Sequence, residues 1–321
     1  MMEQEESGIR GSALSSASGR VAVIIPTFNA ARHWAALSAG IRAQSLEADQ
    51  VIVIDSSSSD GTADLARRDS FTVIEISPRD FNHGGTRQMG ADFAERADIV
   101  IYLTQDAVLF GTDAFANLVR AFEDAEIGAA YGRQLPREKA NAIEAHARHF
   151  NYPATSRLRS WETRRTLGFK SIFFSNAFGA YRRSALMSVG GFSPDVIFGE
   201  DTLVVARMHR AGWKTAYVAD AVAKHSHAYS LAEEFRRYFD IGVLHARESW
   251  LVEQFGSASG EGRRFVVSEM GHLAKNAPHQ LPSALMRTLA KYLGYKIGRR
   301  ENGIAPRLKS HLGLNRQYWS R

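Results

Sequence analysis

Several groups of residues in this sequence have types and spacings that reactions use. Thr104-Gln105-Asp106 follows the apolar run Ile99-Val100-Ile101-Tyr102-Leu103. A carboxylate there can hold a divalent cation against a diphosphate, because Mg²⁺ takes one or two carboxylates together with phosphate oxygens. His225 and His227 lie two apart; on extended chain both imidazoles face one way and Ser226 the other. That spacing suits a shared metal ligand pair and equally a pair of polar loop residues. Gly199-Glu200-Asp201 opens a helix, where the dipole keeps carboxylates ionised, so either a general base or a plain cap is served. His83-Gly84-Gly85-Thr86-Arg87 opens another helix. Its glycines admit a close backbone approach, the helix start offers free N–H groups, and Arg87 adds a bidentate cation, a set suited to phosphate. The plainer reading is a flexible loop followed by a solvated Arg. Asp55 ends a second apolar run, and its carboxylate is read as an acceptor for a pyrimidine ring N–H. Asp60 and the serines before it are read as a cap for the helix beginning near Gly61.

These groups need a scaffold that gathers them. Residues 20–27 and 50–55 are short, β-branched, apolar runs of the buried-strand kind, each followed by a helical pattern, at 30–44 and 61–68. The alternation repeats at 72–76, 85–96, 99–104, 112–124 and 127–132. Strands alternating with helices in this way predict βαβ units and a mostly parallel sheet covered on both faces. Ligands bind such sheets beyond the carboxyl ends of the strands, and four consecutive ends here are polar: 27–29, 55–60, 79–87 and 104–106. Further along, 138–149 reads as a helix, 151–170 as basic loop, 175–181 as a strand, 202–211 as a helix and 214–218 as a strand. Residues 231–255 read as one long amphipathic helix, followed by a Ser/Gly linker and a helical basic tail. The expected organisation is a disordered leader at 1–19, a catalytic α/β domain at 20–255 and a basic helical extension at 256–321.

Composition removes several alternatives. The 321 residues include no cysteine, so disulfides, thiolate metal sites and a thiol nucleophile are excluded. The leader lacks the basic start and apolar run of a secretory signal, and no stretch approaches the ~20 apolar residues of a membrane span. A cytoplasmic protein is expected, with any membrane contact peripheral. The net charge of +6 is uneven: residues 261–321 hold 12 Lys/Arg against 3 Asp/Glu, a net +9, which leaves −3 for the rest. Within that basic tail Leu285, Leu289, Tyr292 and Leu293 have helical spacing among Arg287, Lys291, Lys296, Arg299 and Arg300. An anionic membrane surface is one expected partner of such a segment, and packing on the catalytic domain is the other reading. Nucleic acid is not expected, because the segment carries no recognised nucleic-acid motif.

Three functional classes fit a polar crevice of this kind: a nucleotide-sugar transferase, a dinucleotide oxidoreductase and a non-catalytic module binding a nucleotide or a lipid head group. The oxidoreductase would place Gly-x-Gly-x-x-Gly after the first strand, where this chain has Pro26-Thr27-Phe28-Asn29. Ile25-Pro26-Thr27-Phe28-Asn29, Ile54-Asp55-Ser56 with Asp60-Gly61-Thr62, Gly190-Gly191-Phe192 and Glu200-Asp201 resemble, in order, the motif series of family 2 inverting glycosyltransferases. Phe81 to Arg87, Leu103 to Ala107, Phe150 to Pro153, His225-Ser226-His227 and Arg236 to Gly242 are similar to the subgroup of bacterial rhamnosyltransferases. Thr104 stands where the family's metal motif usually begins with Asp, and Ser56 where a second Asp is common.

The resemblance implies a GT-A fold with a C-terminal helical extension, and inverting transfer with Asp201 as the base. It implies Mg²⁺ or Mn²⁺ on Asp106 and His225, with His227 as the substitute ligand. Pro26, Thr27, Asn29, Asp55, Gly85, Arg87, Gln105, Asp106 and Glu200 would line the nucleotide-sugar site. The implied donor is dTDP-L-rhamnose and the implied acceptor a cell-surface or lipid-linked glycan. A UDP-sugar donor, or binding without turnover, remains the alternative.

Overall fold

The computed structural model describes residues 19–256 and 259–320. The expected leader (all but Gly19) and the centre of the expected Ser/Gly linker lie outside the described residues. The first half of the fold alternates as β1 (Val21–Thr27), α1 (Ala31–Arg42), β2 (Gln50–Asp55), α2 (Thr62–Arg68), β3 (Thr72–Glu75), α3 (His83–Phe93) and β4 (Ile99–Leu103). It continues with β5 (Val108–Leu109), α4 (Ala114–Arg120), β6 (Ile127–Leu135), α5 (Ala142–Asn151), β7 (Arg157–Arg159) and α6 (Arg164–Leu167). Then come β8 (Phe178–Arg182), α7 (Arg183–Ser188), α8 (Glu200–Arg210), β9 (Lys214–Lys224), α9 (Leu231–Arg247) and α10 (Ser249–Phe255). The chain closes with α11 (Ser259–Asn276), α12 (Leu281–Gly298) and α13 (Pro306–Leu312).

The strands form one sheet in the order β3-β2-β1-β4-β8-β6-β9-β5, with β7 beside β9. Side-chain alternation divides it into two cores. Ala22, Ile24, Ile52, Ile54, Val100 and Tyr102 face one helical layer. Val21, Val23, Ile25, Val53, Ile99, Ile101 and Leu103 face the other. A strand buried on both faces must be apolar at every position, which is why these runs show no polar alternation.

β1, β2, β3, β4, β6 and β9 share one direction, and β8 runs against β4 and β6 between them. The reversal matters for the site. It sets the amino end of β8 beside the carboxyl end of β4, with Phe178 opposite Leu103. Residues just before β8 therefore open onto the same edge as the carboxyl ends of the six codirectional strands.

Several boundaries differ from the sequence reading, and the segment 151–170, expected as basic loop, holds β7 and α6. Three further differences matter here. β9 continues six residues past Val218 to Lys224, so His225 follows the strand directly. The helix expected at 231–255 breaks at Glu248, whose side chain accepts from the Trp250 indole N–H (2.7 Å), giving α9 and α10. β8 begins at Phe178, three residues later than expected, which frees Ser175 and Asn176 from the strand.

Candidate active site

At the carboxyl end of β4, Asp106 faces both histidines that follow β9. His225 Nε2 lies 3.4 Å from Oδ1 and His227 Nδ1 3.8 Å from Oδ2. One ligand atom from each residue falls within 4.8 Å of the others. Arg137 holds the carboxylate from the side at 3.0 Å. Burial resists ionisation of Asp106, yet in acid the protonated imidazoles, with Arg137, hold its carboxyl well below the usual range. Burial, ahead of the opposing pull of Asp106, lowers the His225 imidazole, and burial with His225 pushes His227 down to about 4. Both rings are thus neutral near pH 7, the state in which imidazole ligates a metal.

The residue that settles which nitrogen of His225 is bare is Gln134, on β6. Its Oε1 accepts from Arg148 (2.8 Å), which identifies that atom as the oxygen. The same oxygen lies 2.8 Å from His225 Nδ1, so Nδ1 carries the proton and donates it there. Nε2 is then a bare lone pair, buried, without a hydrogen-bond partner, and aimed at a carboxylate oxygen. Two acceptors facing each other at this distance repel unless a cation sits between them. The donor set of one carboxylate and two imidazoles, with an outer hydrogen bond orienting one ring, fits Mn²⁺, or Mg²⁺ with most of its oxygens from elsewhere.

Glu200 and Asp201 occupy the first turn of α8, after Gly199 in the left-handed conformation. Asp201 accepts the Thr202 N–H (2.7 Å) and the Asn176 N–H (3.2 Å), so it satisfies one free N–H of the first turn and remains partly exposed. Burial first, and the Glu200 charge second, push its carboxyl up to about 7. A carboxylate tuned to the working pH is what general-base chemistry requires. Asn176 also reaches Glu200 through Nδ2 and takes the Tyr181 hydroxyl (2.8 Å). Ser175 beside it receives the Gln134 amide (2.7 Å). The segment Ser175–Asn176, delivered by the reversed strand, thus joins the triad to Asp201.

The residues expected to line the donor sit at the predicted edge, but several are tied to one another. Arg87, read as a phosphate ligand, is buried and paired with Glu200 at 3.1 Å, and it also donates to the His83 carbonyl. A guanidinium in such a pair is committed, and Glu200, expected at the donor, is committed with it. Burial resists the Glu200 charge, but Arg87, His83 and the hydrogen bonds the carboxylate accepts together outweigh it and keep the carboxyl low. Gly84 is needed for close packing, since a Cβ there would collide with the Ser193 carbonyl oxygen. The Gly85 N–H, expected to be free, is capped by the Asn82 side chain. Asp55 is buried, with Oδ1 taking Thr27 Oγ1 (2.7 Å) and Ser58 Oγ (2.6 Å) and Oδ2 taking the Ser58 N–H (2.8 Å). It organises two loops from below, where an open contact with a base was expected. Gln105 grips the Phe28 backbone from both sides (2.7 and 3.1 Å), and Asn29 bonds the Ser59 N–H (3.0 Å). Pro26 is the one half-buried residue of β1, and Thr27 after it is buried again. Asp60 caps two helices, accepting N–H groups of Ala31 and Thr62.

Other residues reach the site that the sequence reading quoted only inside motif stretches and gave no role of their own. Phe28 stands 52% exposed above the Thr27–Asp55 pair. Arg237, on α9, lies over the rings of Phe198 (4.6 Å) and Tyr229 (5.5 Å), and among the described residues no carboxylate pairs with it. Its charge is felt by His83, Tyr152 and His227. At the C-terminus, buried Asp240 accepts the N–H groups of Leu314 and Asn315 (3.0 and 3.1 Å). Asn315 in turn donates to the Ile197 carbonyl (2.7 Å), bracing the loop that leads into α8.

Comparison with known proteins shows the family and the fold. Residues 22–190 match the family model described as Glycosyl transferase family 2. The chain is 44% identical over 302 residues to the O-antigen chain rhamnosyltransferase RfbN of Salmonella typhimurium, covering 94% of this chain and 96% of that protein. It is 42% identical to the O-antigen chain rhamnosyltransferase WbaN of Salmonella anatum, covering 93% and 95%. Among solved structures it is similar to a Pyrobaculum calidifontis mannosyltransferase in complex with GDP-Man and Mn²⁺, with a TM-score of 0.58 and 23% identity, covering 92% of this chain and 85% of that one. The S. aureus protein TarS, residues 1–349 with UDP, follows at a TM-score of 0.51 and 13% identity, covering 88% and 91%. These structural likenesses concern the fold.

Proposed function

The chain belongs to glycosyl transferase family 2, and we propose that it carries L-rhamnose from dTDP-L-rhamnose onto a growing, lipid-linked O-antigen chain, with inversion at the anomeric carbon. Support for the sugar and acceptor comes from the two relatives, each matched across nearly its whole length. The observation that carries the chemistry is Asp201, a partly exposed carboxylate at a helix start whose proton affinity burial and Glu200 have raised to about 7.

Asp201 takes the proton from an acceptor hydroxyl as that oxygen attacks the anomeric carbon. The bond from that carbon to the donor's phosphate oxygen breaks on the opposite face, and dTDP departs. The proton then passes from Asp201 to solvent. Arg237 takes the role first read for Arg87, meeting the diphosphate charge from α9. Asp106, His225 and His227 would hold Mn²⁺ or Mg²⁺, which would supply positive charge to the leaving diphosphate. Phe28 offers its exposed ring to the base, while Pro26, Thr27, Asn29, Asp55 and Gln105 shape the loops beneath it. Gly85 and the Arg87–Glu200 pair hold the start of α3 against α8. The reaction is read as cytoplasmic, peripheral to the inner face of the membrane that carries the acceptor.

Hydrolysis of several nucleotide sugars by the full chain, followed as released nucleoside diphosphate with Mn²⁺ present, tests the donor. dTDP-L-rhamnose should be turned over at least tenfold faster than UDP-glucose or GDP-mannose, a margin that a site hydrogen-bonding its substrate readily supplies. Equal turnover, or preference for a UDP-sugar, would remove rhamnose from the assignment.

A further inference from the structure

α12 carries its large apolar residues on the outside. Leu285, Met286, Leu289 and Tyr292 are each 57% exposed, and Leu293 and Ile297 are also exposed. Their spacing puts all six on one helical stripe, and at 1.5 Å per residue it runs about 18 Å. The stripe is not a core face that has lost its cover, because the opposite face of α12 is fully engaged. Gly294 lets the helix approach α9 so closely that a Cβ would strike the Phe235 carbonyl oxygen. Arg287 and Lys291 reach Glu234 at 3.6 and 3.5 Å, and buried Ala284 packs beside Leu273 of α11 and Ala277 just after it. The helix cannot roll to hide the stripe.

The surroundings of the stripe are basic. Of the three acidic residues from 261 to 321, Glu269 and Glu301 are buried, and Glu261 is paired with Lys170 and Arg264. Exposed cations remain: Lys296 over the Tyr292 ring at 5.6 Å, Arg299 and Arg300 at the helix end, and Arg307 beside the exposed Leu308. Among the described residues no helix is long and apolar enough to cross a membrane.

We propose that this face of α12 is a docking surface for an anionic lipid bilayer, the apolar stripe entering the headgroup boundary and the cations meeting lipid phosphates. The charge selects this occupant. A second copy of the chain would set the same basic rim against itself, whereas an anionic bilayer complements it. The docked face is also tied to the reaction centre. Arg287, on the inward flank of α12, donates to the Tyr229 carbonyl, two residues past His227. Lipid contact therefore holds the metal-ligand segment at a set orientation to the bilayer surface. The benefit to catalysis rests on the lipid-linked acceptor proposed above; the docking does not.

The test is co-sedimentation of the full chain with vesicles of phosphatidylcholine alone, or of three parts phosphatidylcholine to one part phosphatidylglycerol. Parent protein should pellet with the anionic vesicles at low salt and release at high salt. Leu285→Glu/Leu289→Glu/Leu293→Glu should cut vesicle partitioning about tenfold or more, and Lys296→Glu/Arg300→Glu several-fold with loss of the salt response. Because these side chains are exposed, donor hydrolysis and melting temperature should stay at parent values, which separates lost docking from lost folding. If parent and both variants behave alike toward anionic vesicles, the surface is not a lipid site. If the parent is dimeric without lipid and the triple variant monomeric, the stripe is a self-interface and the proposal fails. Vesicle binding by a parent that hydrolyses no nucleotide sugar would leave the docking intact and overturn the catalytic reading instead.

Discussion

The two sides of the crevice handle their polar groups in opposite ways. On the side formed by the ends of β1 and β2, Thr27 bonds Asp55, Asp55 bonds Ser58, Asn29 bonds Ser59 and Asp60 caps two helices. On the side formed by β4, β9 and α8, a bare imidazole nitrogen faces a carboxylate, and Asp201 is pushed toward neutrality by burial and then by its neighbour Glu200. The first arrangement spends its hydrogen bonds on holding loops still. The second leaves polar groups in conflict, and a cation or a transferred proton relieves it. Mutual satisfaction marks scaffold, and stored electrostatic conflict marks chemistry.

Changes on the second side should therefore cost activity far beyond any cost in stability. The largest effect is expected for Asp201→Asn, which should lower transfer about 10²–10⁴-fold with donor affinity near the parent value. Steady-state kinetics beside calorimetric donor binding measures both. Transfer within a few-fold of parent would take Asp201 out of the mechanism and collapse the contrast between the two sides.

Next in size is the metal centre. Asp106→Ala and His225→Ala should abolish Mn²⁺ binding in the presence of donor. Gln134→Leu, which removes the acceptor that orients His225, should weaken it about 10–100-fold. Titration followed by the electron paramagnetic resonance of free Mn²⁺ reads the affinity without any turnover. Parent-like affinity in Gln134→Leu would show that His225 needs no outer partner. Thr27→Val, on the satisfied side, should leave Mn²⁺ affinity unchanged.

The smallest effect is a shift in pH dependence. Asp201 must be ionised to accept a proton, so kcat/KM should rise with pH and level off above about 7. Removing the Glu200 charge by Glu200→Gln leaves Arg87 as the nearer charge, which favours the ionised base. The acid limb should move to lower pH and raise the relative rate there a few-fold. A limb that stays in place would mean that Glu200 does not tune Asp201.

Much of this molecule was open to reading from its residues alone. The β-branched runs, the alternation with helices and the polar strand ends follow from local periodicity, and so does the crevice to which they point. The one-sided spacing of His225 and His227 foreshadowed their shared approach to Asp106, because extended chain repeats every two residues. The outward stripe on α12 was visible as helical spacing, although not whether it faced the protein or solvent. Long-range partnership was beyond reach. A sequence shows that Arg87 and Glu200 are charged, not that they are 3.1 Å apart and buried together. Nor does it show that Gln134, an ordinary strand residue, determines which nitrogen of His225 is bare. The reversal of β8 decided the rest, since only an antiparallel strand brings Ser175 and Asn176 to an edge formed by carboxyl ends. Local pattern determines which elements form; which polar groups end up without water, and beside what, is decided when distant elements pack.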